Sequence, residues 1–119
     1  MARGGWLRRF LTKNGINVLD WGTGRKSDYL DIPNEPGVYA LYWGPTLQYI
    51  AKSRYLRGRL SPWDTEGLYK TEIRIPFGHF AWFTLPKNQI QEAEALLIQK
   101  YDPPYNEEYP NLTKRWRNV

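Results

Sequence analysis

Two short apolar runs of this chain, Val38 to Trp43 and Leu47 to Ala51, are rich in β-prone residues, with Gly44-Pro45-Thr46 between them as a turn. That pattern predicts an antiparallel hairpin. Because successive strand side chains point to opposite faces, Tyr39, Leu41 and Trp43 share one face and Val38, Ala40 and Tyr42 the other. Tyr39 and Tyr49 then fall on neighbouring strands. A loose alternation from Tyr69 to Pro76 is broken by Gly78, and His79 to Leu85 reads as a firmer third strand. The clearest helix runs from Asn88 to Tyr101, with Asn88 as its cap, Gln91 in the third position of a capping box, and Pro103 and Pro104 as its stop. A shorter one is expected from an N-cap at Ser53 through Leu60, ended by Pro62. Trp6 to Leu11 is an amphipathic piece of two or three turns within a glycine-punctuated stretch, and residues 31 to 36 form a connecting loop. Together these elements predict an α/β chain of the α+β type: a small central antiparallel sheet of about three strands, flanked by helices.

One residue breaks the pattern. In the long C-terminal helix Ile90, Leu97 and Tyr101 form an apolar stripe at helical spacing, and Glu94 lies inside it. A buried carboxylate without a partner costs several kcal/mol, so Glu94 needs a cation or hydrogen-bond donors opposite it. Periodicity leaves two readings open, a buried ion pair with a nearby arginine and a functional carboxylate.

Composition narrows the chemistry. The 119 residues suffice for one core. No apolar run approaches the length of about 20 residues that spans a bilayer, and residues 1 to 10 lack the apolar stretch of a signal peptide. A soluble, cytoplasmic protein with no membrane partner is the expectation. There is no cysteine and one histidine, His79, so disulfides, thiolate chemistry and sulfur-ligated zinc are excluded and a metal would sit on oxygen. His79 lies in a strand with no matched partner and reads as structural.

The net charge of +5 is uneven. Residues 1 to 30 carry six basic and two acidic side chains, and residues 113 to 119 carry three basic (Lys114, Arg115, Arg117) and none acidic. In the acidic middle, Lys52, Arg54, Arg57 and Arg59 cluster without a carboxylate among them. A solvated helix face would explain such a cluster; an aromatic content of 16%, interleaved with these cations, favours nucleic acid, since rings stack on bases while cations track phosphates. Gly22 and Gly24 lack the preceding strand and third glycine of a nucleotide-binding loop.

Gly37-Val38-Tyr39, Tyr49-Ile50-Ala51, the set Lys52, Leu56, Arg59 and Leu60, Glu94 before Leu97 and Ile98, and Pro103-Pro104-Tyr105-Asn106 occur in the order and spacing of five short motifs. In these the chain resembles the GIY-YIG nucleases, most closely the N-terminal nuclease module of the bacterial excision-repair protein UvrC and small standalone members. The resemblance spans about residues 36 to 106, which leaves residues 1–35 as a basic arm packed on the domain and 107–119 as a basic tail. It departs at Ala51, where the family has glycine. If that position needs a positive φ, alanine costs about 1 kcal/mol.

The resemblance implies a GIY-YIG nuclease fold and a DNA endonuclease that hydrolyses phosphodiester bonds with one divalent ion, Mg²⁺ or Mn²⁺, in DNA repair, recombination or another setting. It implies Glu94 as the metal ligand, Tyr39 as general base with its pKa lowered by Lys52, and Tyr49 as the residue that orients water. Arg59 would bind the phosphate and Asn106 would hold the metal-side geometry. Residues placed at DNA are Lys52, Arg54, Arg57 and Arg59, with Arg8, Arg9, Lys114, Arg115 and Arg117 from the basic ends. A homodimer is one way to cut both strands, and substrate choice would come from the basic ends or a specificity partner protein. The alternatives are an inactive nucleic-acid-binding module of the same fold and, outside nucleic acids, an aromatic-rich domain that docks a protein.

Overall fold

The computed structural model describes residues 3–61 and 75–108. The alternation from 69 to 74, Pro62 and residues 109–119 of the basic tail fall outside them.

The hairpin forms where the two β-prone runs and their turn place it. Strand β2 (Gly37–Trp43) pairs antiparallel with β3 (Thr46–Ser53), from Gly37 opposite Ser53 to Trp43 opposite Thr46. A bulge between Leu41 and Tyr42 leaves Gln48 out of the pairing, and its side chain donates to the carbonyl of Pro76 at 3.4 Å. Strand β4 (His79–Thr84) pairs with the other side of β2, as its apolar run predicts.

The sheet has four strands, not about three. β1 (Asp20–Arg25) pairs antiparallel with β4, giving the order β1-β4-β2-β3. Its sequence, DWGTGR, has poor strand propensity because of its two glycines. Their reason lies across the strand pair: Gly22 faces Trp82 and Gly24 faces Phe80. A Cβ on Gly22 would come within 2.7 Å of the Trp82 ring, and one on Gly24 within 3.0 Å of Phe80. The glycines are slots for aromatic rings. On the other face Trp21 stacks on Phe83, with centroids 6.2 Å apart and planes 7° from parallel.

Two apolar layers sandwich the sheet. On one face, Val38, Ala40, Ile50, Ala81 and Phe83 pack against Leu7 and Leu11 of helix α1 (Gly5–Lys13) and against Ile90, Ala93 and Leu97 of helix α3 (Ile90–Tyr101). A nine-residue helix is marginal alone, and burial of two leucines at about 1.5 to 3 kcal/mol each is what holds α1. On the opposite face, Tyr39, Leu41, Tyr49, Ala51, Phe80 and Trp82 pack with Ile32 and with Leu56 and Leu60 of the short helix α2 (Leu56–Leu60).

Helix ends depart from the expected caps. Ser53 closes β3 and exchanges hydrogen bonds with Tyr55, which precedes α2; no side chain caps that helix. A 3₁₀ turn at Lys87–Gln89 takes Asn88, and α3 starts after Gln89 without a side-chain cap or capping box. The Gln89 side chain instead accepts the N–H of Asn17 at 2.8 Å and donates to the carbonyl of Gly15 at 3.0 Å, tying α3 to the segment after α1. At the other end Asp102 adopts a left-handed conformation (φ 43°), and Pro103 and Pro104 follow. Pro104 opens one more short helix, α4 (Pro104–Glu108), where only a stop was expected. Among the described residues no helix is long and apolar enough to cross a membrane.

Candidate active site

Tyr39 sits at the middle of β2, between Ala51 on β3 and Trp82 on β4. Its neighbour on the same face is Tyr49, with ring centroids 6.5 Å apart and planes inclined by 55°. The strand enters this region through Gly37, where a Cβ would overlap the backbone carbonyl of Phe83 and press on Leu56. Only glycine allows β2, β4 and α2 to approach this closely. Ala51 needs no such allowance: Asp102 is the only non-glycine residue with positive φ among the described residues, so Ala51 has ordinary strand backbone. Its methyl packs in the cluster with both tyrosines.

Arg59 reaches this cluster from α2. It is 2% exposed, and its Nε–H donates to the Tyr39 hydroxyl at 3.3 Å. Glu94, 4% exposed, is buried within the stripe of α3, as the helical spacing requires. Its charge acts on Tyr39. Three elements therefore bring a phenol, a guanidinium and a carboxylate into one electrostatic unit.

The phenol is not activated by its surroundings. Burial pushes the pKa of Tyr39 above 10; Arg59 pulls it down through charge and hydrogen bond, and Glu94 pushes it up again. The sum is a raised value, the reverse of the lowering expected from Lys52. The cation at Tyr39 is Arg59. Lys52 is 3% exposed and pairs with Val38, so it leaves β3 on the face opposite Tyr39.

Asn106 bonds to the protein backbone. The N–H of Ile50 donates to its Oδ1 at 2.8 Å, and its Nδ2 donates to the carbonyl of Ile50 at 2.7 Å. β3 is an edge strand, and Asn106 completes it as a partner strand would. Asp102 and the two prolines turn the chain so that α4 delivers the side chain there, with the Asn106 N–H bonded to Pro103. Ile50 lies between Tyr49 and Ala51, so the clamp fixes the second tyrosine.

The cluster of cations does not act as one surface. Arg54 is exposed. Arg57 is half-buried, with its Nε–H on the carbonyl of Ile32 at 2.7 Å, and so anchors α2. Arg8 and Arg9 are exposed on α1, whose core face lies on the far side of the sheet from Tyr39. Lys114, Arg115 and Arg117 lie outside the described residues. His79 is half-buried at the start of β4, and its buried Nδ1 has no hydrogen-bond partner among them. Half-buried Tyr29 and Tyr105 pack against the tyrosine cluster, a contact that carried no periodic signal.

No protein-family model and no curated protein matches this sequence. Solved structures do. The GIY-YIG N-terminal endonuclease domain of UvrC from Thermotoga maritima, as a tyrosine-to-phenylalanine variant bound to the catalytic divalent cation, is similar to this chain with a TM-score of 0.51. The identity is 23%, over 68% of this chain and 92% of that one. A second such variant gives 24% identity at a TM-score of 0.51. An asparagine-to-alanine variant gives 23% over 67% of this chain and 91% of that one, at 0.50. At such identity the likeness is one of architecture: an antiparallel sheet with flanking helices, arranged as the GIY-YIG nuclease fold.

Proposed function

We propose that this chain is a divalent-metal-dependent DNA endonuclease that hydrolyses phosphodiester bonds at the Tyr39, Arg59 and Glu94 cluster. The observation that carries this reading is the convergence of those three side chains, from β2, α2 and α3, on a fold that similar domains use with a catalytic divalent cation.

Hydrolysis of a phosphodiester needs a deprotonated oxygen nucleophile, charge neutralisation at the phosphoryl oxygens and support for the leaving 3′-oxygen. The donor set suits a hard cation such as Mg²⁺ or Mn²⁺. Among the described residues no group of three or more His, Cys, Asp or Glu comes together; Glu94 would hold the ion, with water and phosphate oxygens as further ligands. Bound there, the ion would stabilise the leaving oxygen.

Arg59 offers a planar fork of donors to the phosphoryl oxygens. Tyr39 would take the proton of the attacking water as its phenolate, its own hydroxyl proton having first passed to solvent. Neutralising the Glu94 charge removes one of the two effects that keep this phenol protonated, which leaves Arg59 a larger share in lowering its pKa. Tyr49 orients the water, and Asn106 acts through Ile50 by holding Tyr49 in place.

Full burial of Tyr39 and Tyr49 and the raised pKa of Tyr39 favour a second reading, an inactive nucleic-acid-binding module of the same fold. Supercoiled plasmid incubated with the protein in Mg²⁺, in Mn²⁺ and in chelator separates them. An endonuclease nicks in the first two alone; a binding module shifts the plasmid in all three and nicks in none.

A further inference from the structure

α1 carries no carboxylate in its nine residues, and its solvent side presents Trp6, Arg8, Arg9 and Lys13. Trp6 is 58% exposed. Spacings of three, four and seven place Trp6, Arg9 and Lys13 on one side of the helix. The cations rest on rings: Arg9 lies 5.6 Å from the Trp6 centroid, Arg8 5.3 Å from that of Trp21, and Lys100 of α3 6.0 Å from that of Phe10. Phe10 in turn meets Tyr101 edge-on at 5.9 Å, so the two helices form one continuous basic and aromatic surface. Guanidinium groups seated on rings are held in place while their N–H donors still face water.

This surface lies behind the sheet. Leu7 and Leu11 pack on the face that carries Val38 and Ile50, whereas Tyr39 and Tyr49 occupy the other. The phosphate at Tyr39 is therefore out of reach of Arg9 and Lys13.

We infer that the α1 face is a second nucleic-acid site, one that takes a single-stranded DNA segment, with phosphates on Arg9, Lys13 and Lys100 and a base stacked on Trp6. Single-stranded DNA is favoured over duplex because an exposed indole among cations needs an unpaired base face, which a duplex hides. The inference deepens the endonuclease reading: the site would hold an unpaired strand while the cluster cuts elsewhere on the same DNA.

The test uses the full chain carrying Glu94→Ala, in chelator, so that no cutting occurs. Anisotropy of labelled oligo-dT and of a labelled hairpin duplex is measured at two salt concentrations. Oligo-dT is expected to bind more tightly than the duplex. Adding Trp6→Ala should weaken oligo-dT binding about ten-fold and change duplex binding less than two-fold. Adding Arg9→Gln and Lys13→Gln should weaken oligo-dT and flatten its salt dependence. Unchanged oligo-dT binding in Trp6→Ala overturns the site, as does equal affinity for duplex. Displacement of oligo-dT by vesicles of anionic lipid at lower concentration than by unlabelled DNA also overturns it, in favour of a membrane surface. Plasmid nicking by the protein with Glu94 intact is scored separately, so loss of the endonuclease reading leaves this result standing or falling by itself.

Discussion

The Asn106 side chain forms two hydrogen bonds with the backbone of Ile50, accepting at 2.8 Å and donating at 2.7 Å. It thereby closes the edge of β3 between Tyr49 and Ala51, and both partners are buried. Asn106→Ala strands a buried N–H and a buried carbonyl. At about 1 to 3 kcal/mol for each unsatisfied group, a destabilisation of about 2 to 6 kcal/mol is expected in urea unfolding. Wild-type stability in Asn106→Ala would remove the clamp from the account.

Tyr39→Phe deletes the hydroxyl that Arg59 bonds, with an expected cost of about 1 to 2 kcal/mol at neutral pH. Its larger signature is in alkali. Burial raises the pKa of Tyr39 above 10, so the folded state holds its proton after the unfolded chain has lost it. This contribution is complete below pH 10 and is lost as pH rises through the higher folded value. Burial also raises Tyr42 and Tyr101, which remain in the variant. The urea midpoint of Tyr39→Phe should therefore fall less steeply than that of the wild type between about pH 9 and pH 12. Parallel curves would contradict the raised pKa.

Gly22→Ala should cost about 1 to 3 kcal/mol, because its methyl enters the Trp82 ring. Gly37→Ala should cost more, since it meets backbone rather than a side chain that can turn. Thermal unfolding of the two variants checks the order. The reverse order would mean that the approach of β2 to β4 at Gly37 is not a constraint.

Ala51→Gly restores the residue of the family motif. The strand backbone at Ala51 gains nothing from glycine, and a buried methyl is lost, so a destabilisation of about 1 to 2 kcal/mol is expected with no rise in nicking rate. Faster nicking by the variant would show that the methyl obstructs the phosphate.

The hairpin and Glu94 were legible because each is a local pattern: two β-prone runs around a turn mark β2 and β3, and a carboxylate in an apolar stripe marks the candidate site. β1 was not, because Gly22 and Gly24 break strands locally, and their fitness depends on Trp82 and Phe80, some 60 residues away. The start of α3 was misplaced because Gln89 spends its side chain on Gly15 and Asn17, a tertiary tie that no capping rule contains. The sense of the Tyr39 shift was hidden for a related reason. It is a contest between burial and one arginine, and spacing along the chain reports neither. Arg8 and Arg9 were legible as cations, but which side of the sheet they occupy depends on where Leu7 and Leu11 pack.

The nicking rate of supercoiled plasmid by wild type and Glu94→Gln, side by side in Mg²⁺, tests the central claim most directly. Glutamine keeps the volume of the buried side chain and removes the charge that would hold the ion. The account predicts nicking by the wild type and a loss of about 100-fold or more in the variant, as removal of a main electrostatic group gives, with DNA binding retained. Equal nicking by the two proteins would contradict it.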